Sequence, residues 1–305
     1  MTSSQPSPDT SQRFIFEHAD VRGEIVRLRH SYATAIAGKH YPDAVAQLLG
    51  QFLAASALLS TTIKFDGRLV LQVRSEGELA VIMAECTSNG ELRGIARYAE
   101  TPTATAFAEL LRNGTLVITI DTRKGEPYQG IVALEGESLA QSLQAYFQQS
   151  EQLGTVFYFA VDRDTVAGLM LQQLPAQLQR DAEARASHWE HFSTLARTLT
   201  AEELLQLPNA DILHRLYHQE ELRVFPPREL VFKCSCSRER TARALAALGR
   251  EEIESIVAEK GGVEISCEFC GTEYNFGPGE IVFGAVRAGA GGRGDALSVQ
   301  KPCAP

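Results

Sequence analysis

The sequence predicts an α+β protein with three parts: an N-terminal core of antiparallel sheet and packed helices, a helical linker and a small C-terminal module. Three observations lead to this prediction. Strand-like segments and two amphipathic helices alternate up to about residue 178. Residues 179–232 are then helical and polar, and four of the six cysteines form two close pairs after them.

Composition excludes several classes of protein. The chain has 305 residues, 44% of them hydrophobic, which is enough for a sizeable core and for two or three structural units. Acidic residues outnumber basic ones by 38 to 29, and this balance disfavours a nucleic-acid partner. No apolar run approaches the ~20 residues that span a bilayer, and the Ser/Pro-rich start does not look like a secretory signal. We therefore expect a cytoplasmic protein without a membrane partner.

Strand patterns define most of the predicted core domain, residues 13–178, whereas residues 1–12 are expected to be disordered. Gly23 is expected to form a bulge or turn in the second strand. Two helices are predicted from apolar side chains at helical spacing, at 43–62 and 138–152. The strands are predicted at 14–16, 21–28, 63–66, 68–73, 78–86, 116–120, 128–134 and 156–161.

The predicted linker, residues 179–232, is a series of short helices. Trp189 and Phe192 begin an apolar stripe, Thr200 and Glu203 form a capping box for residues 201–207, and Asn209 is expected to cap a further helix. Residues 181–232 hold nine acidic and five basic side chains. Such a segment buries little by itself, so we expect it to lean on the sheet domain and to be marginally stable.

The cysteine pairs Cys234-Ser-Cys236 and Cys267-Glu-Phe-Cys270 carry the clearest chemistry. Disulfides are rare in the cytosol, whereas two close thiolate pairs suit a tetrahedral zinc ion. Gly271 follows the second pair where a tight turn is needed. We predict one Zn²⁺ on these four sulfurs, with free buried or purely redox-active thiols as the alternative.

The C-terminal module is predicted to span residues 233–283. Ser237 caps a helix at 238–248, a second helix covers 251–260, and strands at 263–266 and 272–276 bracket the second cysteine pair. Four thiolates on a divalent ion leave two negative charges, which nearby cations could offset; the same cations could equally form a solvated helix face. These cations are Lys233, Arg238, Arg240 and Arg243.

The remaining cysteines and the histidine pairs receive simpler interpretations. Cys86 falls in a predicted strand and is expected to be an inert core residue. Cys303 lies in a Gly/Ala-rich tail, residues 284–305, which is expected to be flexible, so it is interpreted as an incidental thiol. Four histidines have helical spacing but lack an acidic partner pattern, which favours solvated helix residues over a second metal site; they are His188, His191, His214 and His218.

Together these features resemble the heat shock protein 33 family of redox-regulated chaperones. The cysteine spacing is the most specific sign, and the resemblance covers roughly residues 13–282. Segments of the core resemble the family as well: Val21-Arg-Gly23, His40-Tyr-Pro42, Lys64-Phe-Asp-Gly67, Leu92-Arg-Gly94, Gly130-Ile-Val132 and Gly168 to Pro175.

The resemblance implies a function and a switch. Zinc on Cys234, Cys236, Cys267 and Cys270 would hold an inactive state, and oxidation would form the disulfides Cys234–Cys236 and Cys267–Cys270. The module and the linker would then unfold, homodimers would form, and unfolding client proteins would be held without ATP. No Walker-type phosphate loop occurs in the sequence, as an activity without ATP allows.

Three other functions compete with this one. A zinc module that binds nucleic acid is disfavoured because residues 233–280 hold six basic and nine acidic side chains. A thiol-disulfide oxidoreductase would place its CxxC pair at the start of a helix, whereas a hairpin is predicted here. A structural zinc domain on an unknown enzyme is the third, although no catalytic constellation stands out in the sequence.

Overall fold

The computed structural model describes residues 9–62, 65–122, 126–134 and 136–283, and the chain divides into two compact units between Lys233 and Cys234. Both units mix helices with sheet, so the predicted α+β class is confirmed. The predicted tail at 284–305, with Cys303, and residues 1–8 lie outside the described residues.

The first sheet of unit 1 is antiparallel throughout and has the order β10-β1-β2-β9-β8, with β11 also paired to β1. Its two central strands are buried along nearly their whole length because both faces of the sheet are covered. Its strands are β1 (Thr10–Phe16), β2 (Val21–Leu28), β8 (Thr155–Val161), β9 (Val166–Gln173), β10 (Leu222–Val224) and β11 (Arg228–Glu229).

The second sheet of unit 1 has the order β12-β5-β4-β3-β6-β7. All of its pairs are antiparallel except β12 with β5, which is parallel. The strands are β3 (Gly67–Arg74), β4 (Val81–Thr87), β5 (Glu91–Arg97), β6 (Thr115–Thr122), β7 (Tyr128–Ala133) and β12 (Val231–Phe232).

Helix α2 (Asp43–Thr62) contributes to the larger hydrophobic core and packs against strands of both sheets. It is the one described helix that is long and apolar enough to cross a bilayer, but 72% of its apolar window is buried inside the protein. Smaller helices complete the core: α1 (His30–Ile36), α3 (Phe107–Leu110) and α4 (Leu139–Tyr146), which continues as one π-helical turn at Phe147–Glu151.

The linker segment of unit 1 contains α5 (Ala182–Arg197), α6 (Ala201–Gln206) and α7 (Asn209–Tyr217). The predicted capping box is confirmed, since Thr200 and Glu203 satisfy each other's backbone N–H groups. The predicted cap at Asn209 is wrong. Pro208 occupies the N-cap, and the Asn209 amide instead donates to Gln12 Oε1 at 3.1 Å.

Unit 2 is built around the second cysteine pair. It contains α8 (Arg238–Ala246), α9 (Arg250–Lys260), β13 (Val263–Ser266) and β14 (Glu273–Phe276), close to the predicted elements. Ser237 caps α8 as predicted, and α9 ends at Gly261, whose φ of 76° lies in the left-handed region. A small core fills the space between these elements: Leu245, Ile253, Val263, Ile265, Phe276 and Ile281.

Several predictions for the core were wrong. Disorder is excluded at residues 9–12, because β1 begins at Thr10 and the Asp9 carboxylate accepts N–H bonds from residues 29–31. Gly23 makes no bulge; it pairs in register with Phe14, whose ring would lie 2.0 Å from any added Cβ. Residues 65–66 form no strand, and 63–64 lie outside the described residues.

Candidate metal centre and its linker

The four predicted ligands come together in unit 2. The Sγ atoms of Cys234 and Cys267 are 3.6 Å apart, and those of Cys236 and Cys270 are 3.4 Å apart. All four sulfurs lie within 4.8 Å of one another, and no other group of metal-ligating side chains among the described residues is as compact. All four are free thiols in this structure.

The local fold explains how the second pair is presented. Cys267 and Cys270 lie in the turn between β13 and β14, where Gly271 N–H donates to Cys267 O at 2.7 Å. Gly271 has a φ of 72°, which requires a residue without a side chain or one that tolerates strain. The CxxC pair is therefore in a hairpin turn, as predicted, and not at the start of a helix.

The geometry of the sulfurs fits a tetrahedral ion. Zinc–thiolate bonds of ~2.3 Å place neighbouring sulfurs about 3.8 Å apart in a tetrahedron. Two of the observed separations, 3.4 and 3.6 Å, are close to this spacing. An all-sulfur donor set favours a soft or borderline metal over a hard ion such as Ca²⁺ or Mg²⁺.

Hydrogen bonds to the sulfurs stabilise negative charge at the site. The Tyr274 hydroxyl donates to Cys236 Sγ at 3.1 Å, and Thr272 Oγ1 lies 3.2 Å from Cys270 Sγ. A hydrogen bond with Cys234 lowers the pKa of Cys267, aided by the backbone N–H groups of residues 269 and 270, although burial opposes the shift. The same shared proton raises the pKa of Cys234 to about 12. Cys267 is thus the more acidic thiol of this pair.

Two of the predicted cations have contacts within the module. The Arg240 guanidinium donates to both the carbonyl and the hydroxyl of Ser235, at 2.8 Å each, so its charge lies beside the CxC pair. Arg238 pairs with Glu280 at 2.8 Å and covers the Phe276 ring. Arg240 is therefore the better placed of the two to offset thiolate charge, because Arg238 is already paired with the Glu280 carboxylate.

The linker helices cover one face of the first sheet. Their apolar stripe forms a second hydrophobic core with strands β1, β2 and β9. The Phe192 ring stacks on Phe16 with centroids 3.8 Å apart, and the buried Tyr217 hydroxyl donates to Phe192 O at 3.2 Å. The expectation that this segment leans on the sheet is confirmed.

A carboxylate holds the chain where it enters the linker. Asp20, in the turn between β1 and β2, accepts N–H bonds from Gln177, Leu178 and Gln179 at 2.9–3.1 Å. Burial alone would raise the pKa of Asp20, but these bonds and the nearby Arg185 lower it below 3.8. The sequence offered no signal for this role, since a lone Asp in a turn is common.

The other predicted residues lie away from the metal centre. Cys86 is 0% exposed in β4, which confirms the predicted core position, and burial raises the pKa of its thiol to about 11. His191, His214 and His218 are exposed, as expected of solvated helix residues, while His188 is half-buried with an unpartnered Nδ1. Tyr274 and Thr272 were missed, because their bonds to sulfur depend on the hairpin register.

The sequence of this chain matches a known protein family. A model of the Hsp33 protein family matches residues 9–277, which include both cysteine pairs. The chain belongs to the Hsp33 family. Similar relatives include the 33 kDa chaperonins of Pseudomonas syringae pv. tomato (53% identical over 275 residues, 89% of this chain and 91% of the relative) and of Azotobacter vinelandii (53% over 276 residues, 90% and 93%).

A solved structure shares the Hsp33 fold. The 33 kDa chaperonin homologue from Thermotoga maritima superimposes with a TM-score of 0.73 at 24% identity, covering 89% of this chain and 96% of the other. The resemblance predicted from the cysteine spacing is confirmed. Membership of the family, with relatives named as chaperonins, supports a chaperone role in the stress response for this chain.

Proposed function

We propose that this protein is a redox-regulated, ATP-independent holdase of the cytoplasm that binds unfolding proteins under oxidative stress. It acts by binding and not by catalysis. The observation that carries the proposal is the packing of a highly charged linker on an apolar sheet face, in a chain whose linker leads directly into a four-thiol cluster. Such a segment can be released without unfolding the sheets that it covers.

The four thiolates Cys234, Cys236, Cys267 and Cys270 would hold one Zn²⁺ in the reduced state. Bound zinc supplies folding energy for a module whose own core is small. Tyr274 and Arg240 then stabilise the thiolate charge by a hydrogen bond and by a nearby positive charge.

Oxidation would remove the ligands in pairs. Two thiolates lose two electrons to form one disulfide, and a peroxide oxidant is reduced to two waters with the uptake of protons. Bonds within Cys234–Cys236 and Cys267–Cys270 consume two equivalents of peroxide and leave no thiolate to bind the metal. The module then loses its main source of stability.

Loss of the module frees the linker at its C-terminal end. The apolar stripe of α5 to α7 and the sheet residues beneath it, Phe14 and Phe16 among them, become accessible together. Exposed apolar surface of this kind binds unfolded polypeptide, and it also promotes association of two copies. We propose that the active form is a homodimer.

The test measures zinc content and suppression of client aggregation in the same samples, before and after peroxide. We expect one zinc and no suppression when reduced, and no zinc with full suppression when oxidised. Cys267→Ser should lose tight zinc binding, whereas Cys303→Ser, which changes a cysteine that is not one of the four proposed ligands, should behave as wild type. Equal suppression in both redox states, or zinc retained by the active form, would contradict the proposal.

A further inference from the structure

The last residues of unit 1 form an edge strand for both sheets. We call Arg228–Lys233 the strap. Its first half, β11, pairs with β1 at Thr10 and Ser11, and its second half, β12, pairs with β5 at Glu91 and Leu92. Six residues therefore cover the edges of two different sheets.

Main-chain hydrogen bonds hold the strap. The N–H groups of Leu230, Val231 and Lys233 donate to the carbonyls of Asp9, Gly90 and Leu92, at 2.8, 3.0 and 2.9 Å respectively. These acceptors would take the same bonds from any extended chain, because a backbone ladder does not depend on side-chain identity.

The strap side chains alternate between the core and solvent. Leu230 is 2% exposed within the larger core, and Phe232 packs against the same core, whereas Val231 between them is 40% exposed. Arg228 donates to the carbonyl of Ser88 at 2.5 Å, and Lys233 pairs with Glu91. The edge thus combines a ladder with two apolar positions spaced two residues apart.

The strap edge is bounded on both sides. Farther along β5, Ala96 N–H donates to the Tyr41 hydroxyl at 3.1 Å, so that end of the strand is capped by a side chain. At the other end of the strap, Lys233 is followed directly by Cys234, the first of the four thiols. The strap is therefore the segment of unit 1 that directly precedes the first metal-centre cysteine in the chain.

We propose that the strap occupies a client-binding edge in the inactive protein. Once the strap has left, this edge binds an extended segment of an unfolding protein by strand addition. The recognised segment has aliphatic or aromatic side chains at alternate positions, matching Leu230 and Phe232. This inference rests on the proposed function, since it needs the strap to leave on activation. It gives the chaperone a sequence-tolerant site that complements the apolar face under the linker helices.

The test uses a fluorescent peptide with the sequence of residues 222–233, acetylated and amidated, and the oxidised, zinc-free full chain. We expect binding to the oxidised chain, none to the reduced zinc-loaded chain, and displacement by a chemically unfolded client. N-methylation of the amide matching Val231 or Lys233 should weaken binding about tenfold each, since each removes a ladder hydrogen bond. N-methylation at the Phe232 position is the matched control and should have a much smaller effect, because that N–H is not one of the strap's donors to Asp9, Gly90 or Leu92.

The outcomes separate this inference from the proposed function. Aggregation suppression is measured on the same oxidised sample, and its absence would overturn the proposed function itself. Suppression without peptide binding, or with equal binding of all three methylated peptides, would overturn strand addition alone. A peptide that splits oxidised dimers but is not displaced by unfolded client would show that the edge joins two copies of this chain, and the inference would be wrong.

Discussion

Leu213→Ala should open the linker without any oxidant. Leu213 lies on α7 and is 4% exposed within the core that joins the linker helices to the first sheet. The change removes buried apolar atoms from the linker side of this contact and leaves both sheets intact. Leu178→Ala is the matched control, because it deletes the same atoms from a side chain that is 63% exposed.

The size of the effect follows from burial. Leu→Ala substitutions at buried sites cost roughly 2–5 kcal/mol, which combines lost transfer energy with the cavity left behind. If the linker opens as a unit, this cost shifts its opening equilibrium by about 30- to 4,000-fold at ~1.4 kcal/mol per tenfold. The control should change stability by about 0.5 kcal/mol or less, as exposed substitutions usually do.

Hydrogen exchange of the reduced, zinc-loaded protein measures this opening directly. Amides of α5 to α7 should exchange faster by the factor above, those of β3 and β4 should not change, and client aggregation should be suppressed without peroxide. Unchanged exchange in α5 to α7 would show that this packing does not hold the linker. Fast exchange without suppression would show that the linker does not mask the client surface.

Three further predictions concern the metal centre and the start of the linker. Tyr274→Phe removes the hydroxyl that donates to the Cys236 sulfur, so transfer of zinc to a chelator should be about tenfold more favourable with the fold unchanged. Equal transfer from the variant and the wild type would show that this hydrogen bond does not contribute to zinc affinity. The folded pKa of Asp20 lies below its ordinary value, so its stabilisation is present above the ordinary carboxyl pKa and is lost as the pH falls through the folded pKa. Asp20→Asn should therefore lower the urea midpoint at pH 7, and its difference from wild type should shrink as the pH falls into the acid range. A difference independent of pH would contradict the assignment. The bond within Cys267–Cys270 should form before the one within the CxC pair, because the CxC ring is smaller and more strained; mass mapping that finds only the CxC bond at partial oxidation would refute this order.

Local signals in the sequence were sufficient for much of the chain. The capping box at Thr200, the Ser237 cap and the hairpin around Cys267 depend on neighbours within a few residues, and all are present. The strands that form β6 and β7 were also predicted, at 116–120 and 128–134. The strap was not predicted, because its two short strands have partners more than a hundred residues away.

The sequence by itself determined the α+β class, the grouping of the four cysteines and the amphipathic character of the linker. These properties follow from the periodicity of apolar residues and the spacing of cysteines, and they do not depend on contacts between distant segments. Only the tertiary structure decided what the linker covers, which hydroxyl reaches Cys236, and why Gly23 must lack a side chain beneath the Phe14 ring. The first two depend on packing between segments that are far apart in the chain, and the third depends on the register of β1 against β2. Local pattern carries no information about either.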